Sequence, residues 1–356
     1  MSSLPFFADM EFHHDFSTAI LNWYAENGRD LPWRNAALPR EQHAYAVWLS
    51  EIILQQTRIQ QGHDYWLRFM KRWPTVNDLA AATEDEVLRE WQGLGYYSRA
   101  RNLHHAARQI VALGRFPDTI DGIKQLKGVG DYTAAAIGSI VFGLPAAVVD
   151  GNVYRVLSRC FGIATPINTS EGKKEFAALA QSLLPADNPS AFNQAMMDFG
   201  ALQCTPQSPR CLLCPLAERC VALRTGRVDE LPVKVRKQKL STRRFYYIYI
   251  MCNGHTLLHR RTAGDIWQGL WEPPLFEQEM PAGMPCVALR KQVRHVLTHR
   301  IIVADFYLLN IDNRDMLPAA VQQLLKEKDY LWVPESDIDR YGVPRLVEML
   351  FEVVNA

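Results

Sequence analysis

From Asp15 to about Arg224 apolar residues recur at helical spacing, as in Phe16, Ile20, Leu21 and Tyr24 and again around Leu88 and Trp91. Short Gly or Pro punctuation at Trp73-Pro74, Gly93-Leu94-Gly95 and Phe116-Pro117 separates these segments, so this part of the chain is predicted to be all-helical. Between Arg224 and Arg244 the periodicity stops. Eight basic residues (Arg224, Arg227, Lys234, Arg236, Lys237, Lys239, Arg243 and Arg244) stand there against Asp229 and Glu230. The segment reads as an interdomain linker, either a solvated loop or, if the flanking domains suggest it, a region attracted to a DNA backbone. Beyond it the pattern turns to strands. Phe245 to Met251, an Asn253-Gly254 turn and Thr256-Leu257-Leu258 predict a hairpin, and Ile301 to Leu309 a further strand. Helical segments follow near Val321 and Leu346, so the last third is predicted to be α+β.

The longest uncharged stretch, Tyr132 to Val149, approaches the length of a membrane span but carries Thr133, Gly138, Ser139, Gly143 and Pro145. It is read as a buried helix followed by a turn, with no membrane association. A chain of 356 residues predicts two or three domains, and 48% hydrophobic with 22% charged residues sets aside disorder, coiled coil and collagen-like repeats. The net charge of +1 means that any nucleic-acid binding must rest on basic groups concentrated locally. Met1 to Phe16 contains Asp9, Glu11 and Asp15 and shows no secretory signal, so a reducing cytoplasm is expected. In that compartment the clustering of four of the seven cysteines within 204–220 favours metal over disulfide.

Cys204, Cys211, Cys214 and Cys220 form C-x6-C-x2-C-x5-C, which supplies four thiolates from one short segment, as an iron–sulfur cluster requires. A structural zinc is the alternative, although zinc sites usually pair two C-x2-C knuckles and only Cys211/Cys214 resembles one. Leu126-Lys127-Gly128-Val129-Gly130-Asp131 joins a helix ending near Gln125 to one starting near Asp131. Its two glycines permit a tight turn whose N–H groups can hold a phosphate at a helix N-terminus, or it is an ordinary interhelix turn. Glu51 has Val47, Trp48 and Leu54 as helical neighbours. A carboxyl on such an apolar face is either satisfied structurally or raised in pKa and able to act as a general acid. Asp150, between Ala146-Ala147-Val148-Val149 and Gly151-Asn152, reads as a helix N-cap whose N–H donors keep it ionised, a role compatible with stabilising a nearby positive charge. One protonated and one anionic carboxyl are what cleavage of a glycosidic bond through an oxocarbenium-like state needs.

Taken in order, Glu51, the Gly128-Val129-Gly130 hairpin, Asp150 and the cysteine loop resemble the helix-hairpin-helix DNA glycosylases that carry a 4Fe–4S cluster. Endonuclease III and the adenine DNA glycosylases of the MutY type share that pattern. Endonuclease III-like enzymes have a catalytic Lys two residues after the second hairpin glycine, where this chain has Tyr132. Trp48-Leu49-Ser50-Glu51-Ile52-Ile53-Leu54-Gln55-Gln56-Thr57 resembles the adenine glycosylase motif, and the strand-rich end resembles that family's Nudix-like domain. The resemblance implies a multidomain chain: an all-α helix-hairpin-helix glycosylase domain over 1–225, with the hairpin at about 119–142 and the iron–sulfur loop at 204–220. A basic linker over 226–243 and a C-terminal α+β Nudix-like domain over 244–356, which recognises the opposite base, would complete it.

What the resemblance implies for function is a monofunctional, monomeric adenine glycosylase of base excision repair, acting on double-stranded DNA in which adenine is mispaired with 8-oxoguanine or guanine. Glu51 would protonate the adenine ring and Asp150 stabilise or capture the sugar cation, supported by Tyr132 and Asn152. Arg29, Leu31, Trp33 and Gln194 would line the base pocket, and Gln56 and Tyr96 would fill the vacated stack, although Trp33 and Tyr96 also suit a plain aromatic core. Gly128 and Gly130 would face DNA phosphates, and Thr298 and His299 would read 8-oxoguanine. Two departures stand out. Leu297-Thr298-His299 replaces the Phe-Ser-His common in bacterial members, and the acidic R-E-x-x-E-E signature of Nudix pyrophosphatases is absent, so this domain is expected to recognise a base without hydrolysing nucleotides. The competing readings are an endonuclease III-like glycosylase/lyase and a non-enzymatic DNA-binding module.

Overall fold

The computed structural model describes residues 10–235, 241–297 and 300–355. Of the positions singled out above, Arg236, Lys237 and Lys239 of the basic segment and the base-reading pair Thr298 and His299 lie outside the described residues. The first part of the chain is helical: α1 (Met10–Asn27), α2 (Arg40–Ile53), α3 (Ile59–Arg72), α4 (Val76–Ala81), α5 (Glu84–Glu90) and α6 (Ser98–Leu113). Next come α7 (Ile120–Lys124), α8 (Asp131–Phe142), α9 (Gly151–Phe161), α10 (Ser170–Leu183), α11 (Pro189–Leu202) and α12 (Val221–Arg224). The strands are β1 (Ser241–Met251), β2 (His255–Arg260), β3 (Trp271–Glu272), β4 (Leu275–Glu277), β5 (Val287–Val296), β6 (Arg300–Asn310) and β7 (Tyr330–Pro334). Helices α13 (Ala319–Glu327) and α14 (Arg345–Val354) complete the α+β part.

The helices begin and end where local chemistry dictates. Thr83, Thr119, Asp150, Thr169 and Asn188 each accept a backbone N–H at a helix start, and Gly143 and Gly162 end α8 and α9 in the left-handed conformation. The uncharged stretch is thus a twelve-residue helix followed by an irregular segment that starts at the left-handed Gly143, and among the described residues no helix is long and apolar enough to cross a membrane.

The chain folds into two compact units, 1–58, 75–77 and 106–236 in the first and 59–74, 78–105 and 237–356 in the second. In the first unit Phe16 and Ile20 of α1 pack with Val156, Leu157 and Phe161 of α9, Phe176 of α10 and Phe199 of α11. Cys204, Cys214 and Cys220 lie against this core. Helix α9 meets α11 at Gly200, where an added Cβ would stand 2.6 Å from the Asn152 Cβ, so only glycine allows the approach.

The second unit joins helices α3, α5 and the start of α6 to the C-terminal sheets. Arg260 pairs with Glu84 and Asp85 at 2.9 and 3.1 Å, Gln92 bonds Glu348, and Arg101 donates to the Gln268 carbonyl. One sheet has the order β4-β1-β6-β5, with β1 and β6 parallel from Ser241↔Arg300 to Met251↔Asn310, and the other β3-β2-β7. The expected hairpin is therefore only half realised. Asn253 and Gly254 turn the chain with positive φ, but beyond the Cys252↔His255 bridge β1 and β2 enter different sheets, because β4 and β6 already occupy both edges of β1.

Candidate active site

Helix α2 carries Glu51 on its last turn, α8 presents Tyr132 two residues after the hairpin, and α9 begins at Asp150. The structure brings these three together. Burial pushes the Glu51 carboxyl up to about 7, and the Asp150 charge adds to the rise, while the Tyr132 hydroxyl, hydrogen-bonded to Glu51, and the Arg34 charge oppose it. The Tyr132 phenol is itself held well above its ordinary range by burial and by the two carboxyls, so it remains a donor, and its hydroxyl lies 3.7 Å from the Met197 sulfur.

Asp150 caps α9 as its position suggests. Its Oδ1 accepts the N–H groups of Asn152 and Val153 at 2.9 and 2.8 Å, and its Oδ2 accepts the Asn152 side-chain amide at 2.8 Å. The balance of forces differs from expectation: burial raises the Asp150 pKa despite these donors and the Arg155 charge, so the donors limit the rise without reversing it. Asn152 is oriented in turn by Arg155, which donates to its Oδ1 at 2.8 Å, to the Gly200 carbonyl at 2.6 Å and to the Cys204 carbonyl at 2.7 Å.

The loop bearing Arg29, Leu31 and Trp33 is fixed by a carboxylate that sequence patterning did not single out. Asp198, fully buried on α11, receives Arg29 through its backbone N–H and its guanidinium, and Arg34 at 2.8 Å on both oxygens. Burial alone would raise this carboxyl, but the Arg34 and Arg29 hydrogen bonds outweigh it and hold it below its ordinary value. Leu31 and Trp33 are buried as a result. Gln194 and Met197 precede Asp198 by four and one residues, which sets Gln194 on the same helical side as Asp198. The Gln194 amide donates to Ser190, whereas its Oε1 is buried with no partner. Asn193, also unanticipated, ties the irregular segment before Asp150 in place through Val148 N–H, the Ala146 carbonyl and Ser139.

The remaining expected residues occupy separate places. Gly128 takes φ +81 in the hairpin, and Gly130 is the extended N-cap of α8 with open space where a Cβ would be. Gln56 is exposed with φ +60 just after α2. In the second unit Tyr96, 49% exposed with φ +48, stands at the tip of a loop pinned by the bond from the Trp91 indole to the Gly95 carbonyl at 3.0 Å. Non-glycine residues rarely adopt such φ values, and they concentrate at functional sites.

The cysteine loop wraps α9. Arg159, only 3% exposed, donates to the carbonyls of Thr205, Pro206 and Leu231 and lies 3.5 Å from the Cys204 sulfur. Four thiols from one loop, close enough to feel each other's charge and countered by Arg155 and Arg159, suit a group that carries negative charge. Among the described residues no three of His, Cys, Asp and Glu are close enough to chelate a single metal ion. Arg155 and Arg159 were legible in principle, as two cations one turn apart on a helix otherwise buried by Val153, Val156, Leu157 and Cys160. Asp198 carries the same signal as Glu51, a lone acid between Met196-Met197 and Phe199.

Comparison with known proteins identifies the family. Residues 49–185 match the HhH-GPD superfamily of base excision DNA repair proteins, 204–220 the iron–sulfur binding domain of endonuclease III, and 246–353 the NUDIX domain. The third match bears out the Nudix-like part, and the second decides for a 4Fe–4S cluster over zinc, with Cys204, Cys211, Cys214 and Cys220 as the residues that would hold it. The chain is 33% identical over 347 residues to the adenine DNA glycosylase of Buchnera aphidicola subsp. Acyrthosiphon pisum, covering 95% of this chain and 97% of that one. It is 43% identical over 237 residues to the human adenine DNA glycosylase, covering 65% of this chain and 43% of the human protein. Among solved structures, a thermostable thymine-DNA glycosylase is 29% identical with a TM-score of 0.55, covering 61% of this chain and 99% of that one.

Proposed function

The chain belongs to the adenine DNA glycosylase family, and from that premise we propose that it hydrolyses the N-glycosidic bond of adenine mispaired with 8-oxoguanine or guanine in duplex DNA. The observation that carries this reading is Glu51, a carboxyl with a pKa near 7 in contact with Tyr132 and within the field of Asp150. A protonated Glu51 donates to the adenine ring, the bond to C1′ breaks with its electron pair leaving on the base, and the Asp150 carboxylate faces the resulting sugar cation. Water adds to C1′ and returns a proton to Glu51, leaving free adenine and an abasic site. Tyr132 and Asn152 hold the two carboxyls in place, and no amine stands at position 132 to form a Schiff base.

Adenine reaches this site only when turned out of the helix. The loop locked by Asp198 offers Leu31 and Trp33 as apolar walls, and the unpartnered Gln194 Oε1 suits the exocyclic amine of adenine. Gln56 and Tyr96 would support the duplex where the base has left, and the open N-terminus of α8 at Gly128 and Gly130 would hold a backbone phosphate. Cys204, Cys211, Cys214 and Cys220 would hold the cluster, which would cross-link the loop that Arg155 and Arg159 grip. We take 1–225 as the catalytic part, 226–243 as linker and 244–356, with Thr298 and His299, as the reader of the opposite base, in an enzyme that acts as a monomer. The test is incubation with a duplex carrying one adenine opposite 8-oxoguanine. Free adenine and an alkali-labile site at that position are expected, with little borohydride-trapped adduct; abundant trapping would favour a lyase.

A further inference from the structure

A cavity of about 880 Å³ lies wholly within the second unit, bordered by the Tyr96 loop, by Trp267 and by Leu297 where β5 ends. Two of its aromatic residues are held in backbone conformations that bulky side chains rarely adopt, Tyr96 at φ +48 and Trp267 at φ +59. The loop that presents Trp267 is fixed from several directions. Asp265 accepts Arg243 at 2.6 and 2.8 Å, Arg261 at 2.6 Å and the Ile266 N–H at 2.7 Å, while Arg261 also donates to the Ile266 carbonyl at 2.8 Å. Leu270 and Gly269 close the turn with bonds to the Trp267 and Arg261 carbonyls, and Arg101 holds the Gln268 carbonyl. Strain of this kind survives only where its surroundings over-determine it.

The Trp267 ring packs on Phe245 at 6.1 Å and on His295 at 6.0 Å, yet it still borders the cavity. Arg300 and Arg345, about half exposed, line the cavity; Arg300 stands 3.6 Å from Asp265, and Arg345 pairs with Glu348 and Glu352 at 3.0 and 2.8 Å, so each guanidinium is oriented by carboxylates and keeps an exposed part. An aromatic wall with guanidinium groups at the rim is the chemistry that holds a purine ring and its flanking phosphates. We propose that Trp267 is a specificity-determining residue: it forms the stacking wall for the purine opposite the target adenine. The inference rests on the reading that the C-terminal part of the chain recognises the opposite base.

The test uses the full chain carrying Glu51→Gln, with Trp267→Leu and Trp267→Phe added in turn. Binding is measured on three duplexes, with adenine opposite 8-oxoguanine, opposite guanine and opposite an abasic analogue. Trp267→Leu should weaken binding about 10-fold on both purine duplexes and less than about twofold on the abasic one, and Trp267→Phe should restore most of the loss, in keeping with the effect of removing one base–aromatic stack. Equal weakening on all three duplexes, or none on any, would overturn the assignment. Failure of the wild type to release adenine would count against the glycosylase reading alone, since the binding comparison needs no turnover.

Discussion

Replacing Glu51 by Gln separates what the carboxyl does in catalysis from what it costs the fold. Burial lifts the native carboxyl to about 7, against about 4.3 in an unfolded chain. Between those values the native state binds a proton that the unfolded state has released, so stability falls as pH rises through that window and stays low above it. At about 1.4 kcal/mol per pKa unit, the ionised carboxyl destabilises the native state by about 3.7 kcal/mol. Gln imitates the protonated form at every pH and can still accept the Tyr132 hydroxyl. Its advantage should therefore grow by about 2 kcal/mol between about pH 5.5 and about pH 8.5. For a chain of 356 residues that is roughly 3 °C in melting temperature. The assay is thermal unfolding of both proteins, cluster intact, at the two pH values. A stability difference that does not change with pH would mean that Glu51 titrates as a solvated carboxylate and is not poised to donate.

Purified protein should be brown and contain four irons, and Cys211→Ala should be insoluble or unstable; stoichiometric zinc without visible absorbance would contradict this. Asp198→Asn leaves Arg29 and Arg34 facing a neutral group at a fully buried position, and chemical denaturation should show a loss of about 3 kcal/mol. Gly200→Ala places a Cβ 2.6 Å from that of Asn152, so α9 must shift and take Asp150 with it. Single-turnover excision should fall at least about 10-fold while the protein stays folded.

The parts of the site that were legible in the sequence are those fixed by local chemistry. Asp150 caps a helix because an Asp before Gly-Asn at the end of an apolar run has N–H groups waiting for it, and Gly128 turns the hairpin because φ +81 suits no other residue as well. Glu51, Tyr132 and Arg29 were named through the family resemblance, but the long-range pairings that hold the site were not read. Arg29 and Asp198 lie 169 positions apart, and nothing in the local pattern of either names the other. The attachment of 59–74 and 78–105 to the C-terminal sheets rests on pairs such as Glu84 with Arg260, 176 positions apart, each of which looks in the sequence like an ordinary solvated charge. The hairpin is only half realised for a related reason, since turn chemistry fixes Asn253-Gly254 and the Cys252↔His255 bridge but sheet partners decide where β1 and β2 go.

Single-turnover release of adenine from a duplex with adenine opposite 8-oxoguanine, measured across pH for the wild type and Glu51→Gln, tests the role of Glu51 as general acid most directly. The wild-type rate should decline about tenfold per unit above a pH of about 7, as Glu51 loses the proton it must donate. The Gln variant should bind the same duplex and release no adenine. Release by the Gln variant at close to the wild-type rate would contradict the assignment and remove Glu51 from the chemistry.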